Sequence, residues 1–215
     1  MLGDYMGFVA PNKSCSLCAR LCDFRKDNEN KFPCYYNGPV PSFGDMEAEI
    51  LVVGLAPGLH GANQTGRPFT NDYAGDILYP ILKEEGLAVG EYKKVKDDGF
   101  RLLNVRVTNA VRCVPPLNKP TTVEEKTCRE FLKKEINSMK KLKVILSLGT
   151  ISHKNVLASF YEKQAKYKFS HGAVHELNNG IILVDSYHTS RYNINTGVLS
   201  EDMFREVVRK VKGLI

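Results

Sequence analysis

The sequence lacks tryptophan and has no apolar run long enough to span a membrane. Residues 1–11 contain no basic segment followed by an apolar one, so we expect no secretory signal. Internal repeats, low-complexity tracts and long linkers are also missing. These absences argue against a membrane, secreted or repeat protein and favour one cytoplasmic domain covering residues 1–215.

Two features of the composition narrow the class further. The 215 residues carry a formal net charge of +6, which favours a polyanionic partner without proving one. Six cysteines in a protein without a secretory signal suggest metal ligands or small buried side chains before disulfides.

Residues 54–75, with five glycines and two prolines, form a long polar loop between two apolar segments. Residues 49–53 before it are typical of a buried strand, and residues 77–86 after it have helical spacing that Pro80 predicts to be kinked or to start late. A long loop at the carboxyl end of a buried strand predicts a ligand site. The loop matches neither common nucleotide-binding pattern, G-x-G-x-x-G or G-x-x-x-x-G-K-[ST].

The rest of the chain alternates strands and helices, which predicts an α/β fold: a three-layer sandwich with a central, mainly parallel four-stranded sheet flanked by helices. Thr122 and Glu125 fit a capping box at a helix start, and Asn179-Gly180 indicates a hairpin. The further strands are predicted at 101–108, 143–149 and 181–184, and the further helices at 152–165 and 200–214. Polar loops at 54–72, 109–113 and 188–192 should then converge on one edge of the sheet.

The cysteines suggest a metal site. Cys15 and Cys18 have the C-x-x-C spacing of a half-site, while Cys113 follows a strand and Cys128 lies on a predicted helix. Four thiolates suit zinc or an iron–sulfur cluster, and the spacing does not choose between them. A bound metal would also order residues 11–45, an irregular segment with little means of ordering itself.

Residues 54–72, G-L-A-P-G-L-H-G-A-N-Q-T-G-R-P-F-T-N-D, resemble the first motif of family-5 (type b) uracil-DNA glycosylases. Residues 108–116 and 186–190 resemble two further regions of the same family, although Thr189 stands where the family usually has proline. The resemblance covers the chain from about residue 15 to residue 199.

The resemblance implies a [4Fe–4S] cluster held by Cys15, Cys18, Cys113 and Cys128 in an N-terminal segment at about 11–45. Cys22 and Cys34 are then left over, and we expect both to be small buried side chains. A competing assignment, in which one of them replaces Cys18, breaks the family pattern.

The same resemblance implies a pocket for a nucleobase flipped out of DNA. Phe69 would stack on the base, Asn109 would read its Watson–Crick edge and His188 would donate to the base oxygen as negative charge develops. Ala56 and Gly58 would line the same pocket. From the residues alone, the alternative interpretations are that Phe69 packs the loop and that Asn109 is a turn residue at the end of the strand.

Ala56 stands where the best-known class of these enzymes has its aspartate, as in other type b members. The resemblance implies that Asp72, the aspartate of the F-T-x-D segment, is the general base instead. Asp72 would orient a water and offset positive charge on the sugar, and the competing interpretation is a helix N-cap. Asp76 could take either role.

Contacts to the DNA backbone and to the gap left by the flipped base are expected nearby. Arg112 and Lys119 are predicted to contact phosphates. Arg191 and Tyr192 lie in a segment that resembles the family's insertion loop, where a side chain could fill the gap, and Ser190 beside them is also predicted to contact DNA.

The sequence therefore predicts a monofunctional, monomeric glycosylase acting on nucleoid DNA. Its substrate would be uracil in duplex or single-stranded DNA, with hypoxanthine and xanthine as alternative bases. The competing hypotheses are an iron–sulfur DNA-binding protein without catalysis and a module stabilised by zinc.

Overall fold

The structure, a computed structural model, describes residues 8–215, so most of the segment tested for a secretory signal lies outside it. Its α-helices are α1 Ala19–Lys31, α2 Ala62–Thr65, α3 Tyr73–Glu84, α4 Thr122–Ser138, α5 Thr150–Ser159, α6 Arg191–Asn195 and α7 Glu201–Lys212. Its strands are β1 Ile50–Gly54, β2 Ala88–Val89, β3 Arg101–Leu102, β4 Val105–Asn109, β5 Val144–Leu148, β6 Val174–Glu176 and β7 Ile182–Ser186.

The central sheet has the strand order β4-β1-β5-β7-β6. The first four strands pair in parallel, and β6 joins β7 in antiparallel orientation. β1, β4 and β5 are buried along their whole length. Burial on both faces is why β1 and β5 read as nearly continuous apolar runs, whereas β4 alternates apolar and polar residues. The α/β prediction is confirmed, but the sheet has five strands rather than four, because the first arm of the predicted hairpin also joins it.

Helices cover both faces of this sheet. Ile50 and Val52 pack in a core with side chains of α3 and α7. Leu51 and Val53 point the other way and pack with side chains of α4 and α5. The alternation of side chains along β1 therefore places helices on both sides, which produces the predicted three layers.

Several predicted boundaries were wrong for local reasons. The second predicted strand is broken at Asn104, whose positive φ of 56° separates β3 from β4. α5 ends at Ser159 because Tyr161 also has a positive φ. α3 starts at Tyr73 and includes Pro80, so the helix does not start late. The capping box is made by Thr121 and Glu124, one residue earlier than predicted, because the backbone of Thr121 is extended.

Residues 11–45 contain a 13-residue helix, α1, that was not predicted. The helix is polar and has only three buried side chains, so it lacks the apolar stripe that identifies a helix in a sequence. Throughout the described part of the chain, no helix has both the length and the apolar character needed to cross a membrane.

Candidate active site

The parallel strands bring three polar loops to one edge of the sheet. β1 lies between β4 and β5. The chain first adds β4 on one side of β1 and then β5 on the other side, so the strand order reverses at β1. Ligands of open α/β sheets bind beside such a switch, at the carboxyl ends of the strands. Gly54 at the end of β1 is the register partner of Asn109 at the end of β4.

A cavity of about 290 Å³ opens at this edge. Its walls come from the loops after β1, β4 and β7, as predicted from the sequence. The volume equals that of about ten water molecules, which is room for a pyrimidine or a purine ring. The residues lining it are Leu55, Ala56, Pro57, Gly58, Ala62, Phe69, Asp72, Tyr73, Ala74, Asn109, Asn118, His188, Ser190 and Arg191.

Phe69 forms a flat apolar wall of the cavity and is itself 4% exposed. Its φ of 50° lies in the left-handed region, which is rare for a bulky residue and persists only where the surroundings enforce it. The ring of Phe69 lies 6.3 Å from that of His188, with 30° between the two planes.

The backbone around Phe69 is held by buried polar contacts. Arg67 pairs with Asp98 through two hydrogen bonds of 2.7 and 2.8 Å. Burial raises the pKa of Asp98, but the hydrogen bonds from Arg67 and from the backbones of Lys93 and Phe100, together with the charge of Arg67, outweigh burial and lower this pKa to about 2. Tyr92 donates a hydrogen bond to the carbonyl of Phe69 at 3.2 Å. These contacts hold the loop in the conformation that the strained Phe69 requires.

Asn109 and His188 present polar groups to the cavity. Asn109 is 4% exposed and lines the cavity, and none of the side-chain hydrogen bonds within residues 8–215 involves its amide. The imidazole of His188 likewise has no hydrogen-bond partner in the described chain, and burial lowers its pKa to about 4. His188 is therefore a neutral donor at neutral pH, available to a ligand.

The loop that carries His188 is anchored on both sides. Thr189, at the position where proline was expected, is buried and donates a hydrogen bond to the carbonyl of Ala74 at 3.3 Å. Asn193 donates to the carbonyl of His188 at 2.8 Å. Behind it, Asp185 of β7 binds His153 at 2.8 Å and His175 at 3.1 Å. The hydrogen bond from Thr189 to Ala74 therefore fixes the loop at the position where a proline would have restricted its backbone.

Asp72 lies in the wall of the cavity and also caps α3. Its Oδ1 accepts a hydrogen bond from the backbone of Gly75 at 2.8 Å. Burial raises its pKa above the usual value, against the effect of that hydrogen bond, and the nearby Asp76 adds to the increase. Both interpretations of Asp72 are thus compatible with one geometry: capping uses Oδ1, and the side chain still lines the cavity.

The segment after His188 follows the cavity to the surface. Ser190 lines the cavity while its hydroxyl caps α6. The exposed guanidinium of Arg191 stacks 5.2 Å from the ring centre of Tyr73. Tyr192, next to it, is 74% exposed.

Arg112 and Lys119 have opposite environments. The prediction that Arg112 contacts phosphates was wrong, because its side chain is 1% exposed and forms an ion pair with the buried Glu135. Arg106 binds the same carboxylate at 2.6 Å. Arg112 is a core residue, whereas Lys119 is exposed and available to a polyanion.

Five cysteines line a second, smaller cavity. They are the four predicted ligands Cys15, Cys18, Cys113 and Cys128, together with Cys22. The backbone amide of Arg112 donates to Sγ of Cys128 at 3.3 Å. Burial raises the pKa of Cys18 to about 11 and that of Cys113 to about 12, and neighbouring thiols add to both increases.

Cys34 lies apart from this group. It is exposed, so the prediction that it is buried was wrong. Cys22 is partly buried and donates a hydrogen bond to the carbonyl of Cys15 at 3.3 Å, which gives it a structural contact of its own.

The two cavities are neighbours. Ala56 lines the first and, like Cys18 and Cys113, packs against a buried group made by Leu21, Val111 and Cys128. A structural change at the cysteines is therefore expected to shift Ala56 in the wall of the larger cavity.

Sequence reasoning did not single out six of the residues that line the larger cavity, namely Leu55, Pro57, Ala62, Tyr73, Ala74 and Asn118. The first five lie in the loop 54–75, which was predicted as a whole to form a ligand site. Asn118 lies outside that loop, two residues after Pro116. None of the six has a local signal apart from its closeness to a recognised motif.

The geometry defines a class of protein: an α/β domain with a cavity for a flat polar ring at the switch point of its sheet. Residues 41–212 match the family described as the uracil DNA glycosylase superfamily, and the chain belongs to that family.

Within it, the chain is similar to proteins named Type-5 uracil-DNA glycosylase. The relative from Thermus thermophilus is 42% identical, covering 98% of each chain. The relative from Pyrobaculum aerophilum is 35% identical over 97% of this chain and 92% of its own length. The relative from Mycobacterium leprae is 37% identical over 93% of this chain and 91% of its own.

Proposed function

We propose that this protein is a monofunctional DNA glycosylase that flips uracil out of DNA and hydrolyses its N-glycosidic bond in base-excision repair. The observation that carries the proposal is the convergence of Phe69, Asn109, His188 and Asp72 on one cavity. Membership of the superfamily and the names of the relatives support the same activity.

Each residue has a proposed role that follows from its chemistry. The ring of Phe69 stacks on the flipped base, and the Asn109 amide offers both a donor and an acceptor to the edge of uracil. Cleavage leaves negative charge on the departing base, and the neutral imidazole of His188 stabilises it by donating a hydrogen bond. Ala56 and Gly58 are the small residues that leave space for the ring.

Positive charge develops on the sugar, and Asp72 is proposed to oppose it. The carboxylate also orients the water that attacks the sugar carbon and accepts its proton. Among the described residues no lysine lines the cavity, which agrees with hydrolysis by water rather than covalent catalysis through an amine.

DNA is the partner that the proposed reaction requires. Lys119 and Arg191 are proposed to contact phosphates, Ser190 to support that contact, and Tyr192 to lie against the duplex beside the cavity. We further propose that the enzyme acts as a monomer on DNA of the nucleoid. Lys119→Ala should weaken DNA binding and reduce its salt dependence by about one counterion.

A [4Fe–4S] cluster is proposed at Cys15, Cys18, Cys113 and Cys128. The four thiols surround one cavity, as the donor set of such a cluster requires. Four thiolates also suit tetrahedral zinc, and the resemblance to the family is what favours the cluster. The cluster would hold the segment at about 11–45 onto the domain.

The test is release of free base. Duplexes with uracil opposite guanine or adenine, and single-stranded DNA with uracil, should all yield uracil. Duplexes with hypoxanthine or xanthine measure how broad the pocket is. No uracil from any substrate would overturn the proposal, and so would unchanged release by a variant with both Asp72→Ala and His188→Ala. The hypothesis of a DNA-binding protein without catalysis is not favoured, because the proposed catalytic groups are present together.

A further inference from the structure

Leu117 has an environment that its own chemistry does not explain. Its side chain is 88% exposed, although burying a leucine is favourable by about 1.5–3 kcal/mol. Its φ of 55° lies in the left-handed region, and so does the φ of 56° at Asn118. Such strain in a bulky residue persists only when the surrounding structure enforces it, and it is concentrated at functional sites.

The surroundings of Leu117 do enforce it. Pro115 and Pro116 precede it, and their carbonyls accept hydrogen bonds of 3.1 Å from the backbones of Asn118 and Lys119. The leucine is therefore held at the tip of a tight double turn rather than on a loose loop.

The turn is also connected to the cysteine group. Arg20, two residues after Cys18, donates to the carbonyl of Lys119 at 3.1 Å. The same guanidinium holds Glu124 at 2.7 and 2.6 Å. The segment with Leu117 thus runs between Cys113 and Cys128, and its middle is fixed to α1.

Leu117 directly precedes Asn118, which lines the larger cavity. Lys119, the next residue, is exposed and positively charged. An exposed apolar side chain on a fixed turn, followed by a residue of the pocket and a cation, suits the stacked bases of duplex DNA, where apolar wedges separate base steps.

We propose that Leu117 is a wedge that enters the base stack of duplex DNA and fills the space left by the flipped nucleotide. The inference rests on the proposed function and adds a residue from a separate segment to the contact expected at Tyr192. Tyr192 lies in ordinary helical backbone of α6, whereas Leu117 is held against its own backbone preference.

Removing the wedge should slow base release most where opening the base pair costs most free energy. This cost is smallest in mismatched and single-stranded DNA. Leu117→Ala should lower uracil release from a U·A duplex by about 10–100-fold and from a U·G duplex by less. Release from single-stranded DNA should stay within about twofold. Leu117→Met keeps an apolar side chain and should stay near the native rate on every substrate. Val174→Ala, an exposed apolar residue on β6 away from the cavity, is the matched control and should change nothing.

Two results would overturn the inference: native rates for Leu117→Ala on the U·A duplex, or an equal loss on duplex and single-stranded DNA. A second readout separates it from the proposed function. Fluorescence of 2-aminopurine beside the uracil should rise when the native protein or Leu117→Met opens a duplex, and should not rise with Leu117→Ala. A rise in fluorescence with the native protein but no release of base would refute the proposed glycosylase activity and support the wedge. An equal rise with Leu117→Ala would refute the wedge.

Discussion

Gly54 and Asn109 are register partners at the carboxyl ends of β1 and β4, and a Cβ atom on Gly54 would overlap Oδ1 of Asn109. The same Cβ would overlap the tip of the Phe69 ring. The absence of a side chain at Gly54 is therefore what allows the amide and the aromatic ring to meet behind the cavity.

Gly54→Ala should displace both groups. A misplacement of about 1 Å can cost about 100-fold in rate, so we expect kcat/KM for uracil release to fall by at least that factor. Gly213→Ala is the control, because Gly213 has a negative φ and an added Cβ would meet only ordinary contacts at 3.5 Å. Thermal unfolding should show that both variants fold. A native rate for Gly54→Ala would contradict the arrangement.

Asp72 combines capping with its proposed catalytic role, and two substitutions separate them. Asparagine caps a helix about as well as aspartate but cannot accept a proton from water. Asp72→Asn should keep the native melting temperature and lower kcat by about 10²–10⁴-fold. Asp72→Ala should lose the activity and, in addition, about 1 kcal/mol of stability. If Asp72→Asn were as active as the native enzyme, the only role left for Asp72 would be that of the N-cap of α3.

His188 should make stability depend on pH. Burial lowers its pKa to about 4, from about 6.5 in an unfolded chain. Between these values the unfolded chain binds a proton that the folded chain does not, so the free energy of unfolding should decrease as pH falls from about 6.5 towards 4. The slope contributed by this one group is at most about 1.4 kcal/mol per pH unit.

His188→Gln removes this contribution. Urea unfolding of both proteins between pH 5 and 8 should give curves that diverge below about pH 6.5, with the native protein losing stability faster. The raised pKa of Asp72 acts in the opposite direction but is present in both proteins, so the difference between the curves isolates His188. Parallel curves would contradict the buried, neutral imidazole.

The extent to which the sequence predicts this molecule differs from residue to residue. Buried strands such as β1 and β5 are predictable, because a short apolar run is stable only in the core of the protein. Phe69, Asn109 and His188 could be brought together in advance because each follows a strand of a parallel sheet, whose carboxyl ends share one edge.

Other features depend on partners that are distant in the sequence. Arg112 occurs in a polar loop and reads as a surface residue, but Glu135 on α4 draws it into the core. The exposure of Leu117 and the burial of Thr189 also depend on tertiary contacts. Arg20 binds the turn that carries Leu117, and Thr189 binds the carbonyl of Ala74. Local patterns carry no information about such pairings.

Glu135 should be among the most sensitive residues of the core. Its carboxylate is paired with both Arg106 and Arg112, and its side chain is fully buried. Glu135→Ala would leave two buried guanidinium groups without a counter-charge, which costs about 3–5 kcal/mol in comparable cases. Urea unfolding measures this loss. Glu130→Ala, an exposed position on the same helix, should stay within about 0.5 kcal/mol of the native protein.

The cysteines offer the last test, because the chain contains its own control. Cys113→Ser and Cys128→Ser should each abolish the iron and acid-labile sulfide that we expect in the native protein. Cys34→Ser should keep both, since Cys34 is exposed and does not line the cysteine cavity. Cys18→Ser and Cys22→Ser decide between the two candidates for one ligand position: loss with the first and retention with the second supports the assignment.

Loss of the cluster should also reach the active site. The cysteine cavity adjoins Ala56, and Arg20 connects α1 to the turn that carries Leu117. Cys113→Ser should therefore lower the melting temperature and reduce uracil release from duplex DNA more than from single-stranded DNA. Zinc in place of iron would contradict the cluster. Full duplex activity without any metal would contradict the coupling, because the turn at Leu117 would then keep its shape with no metal bound.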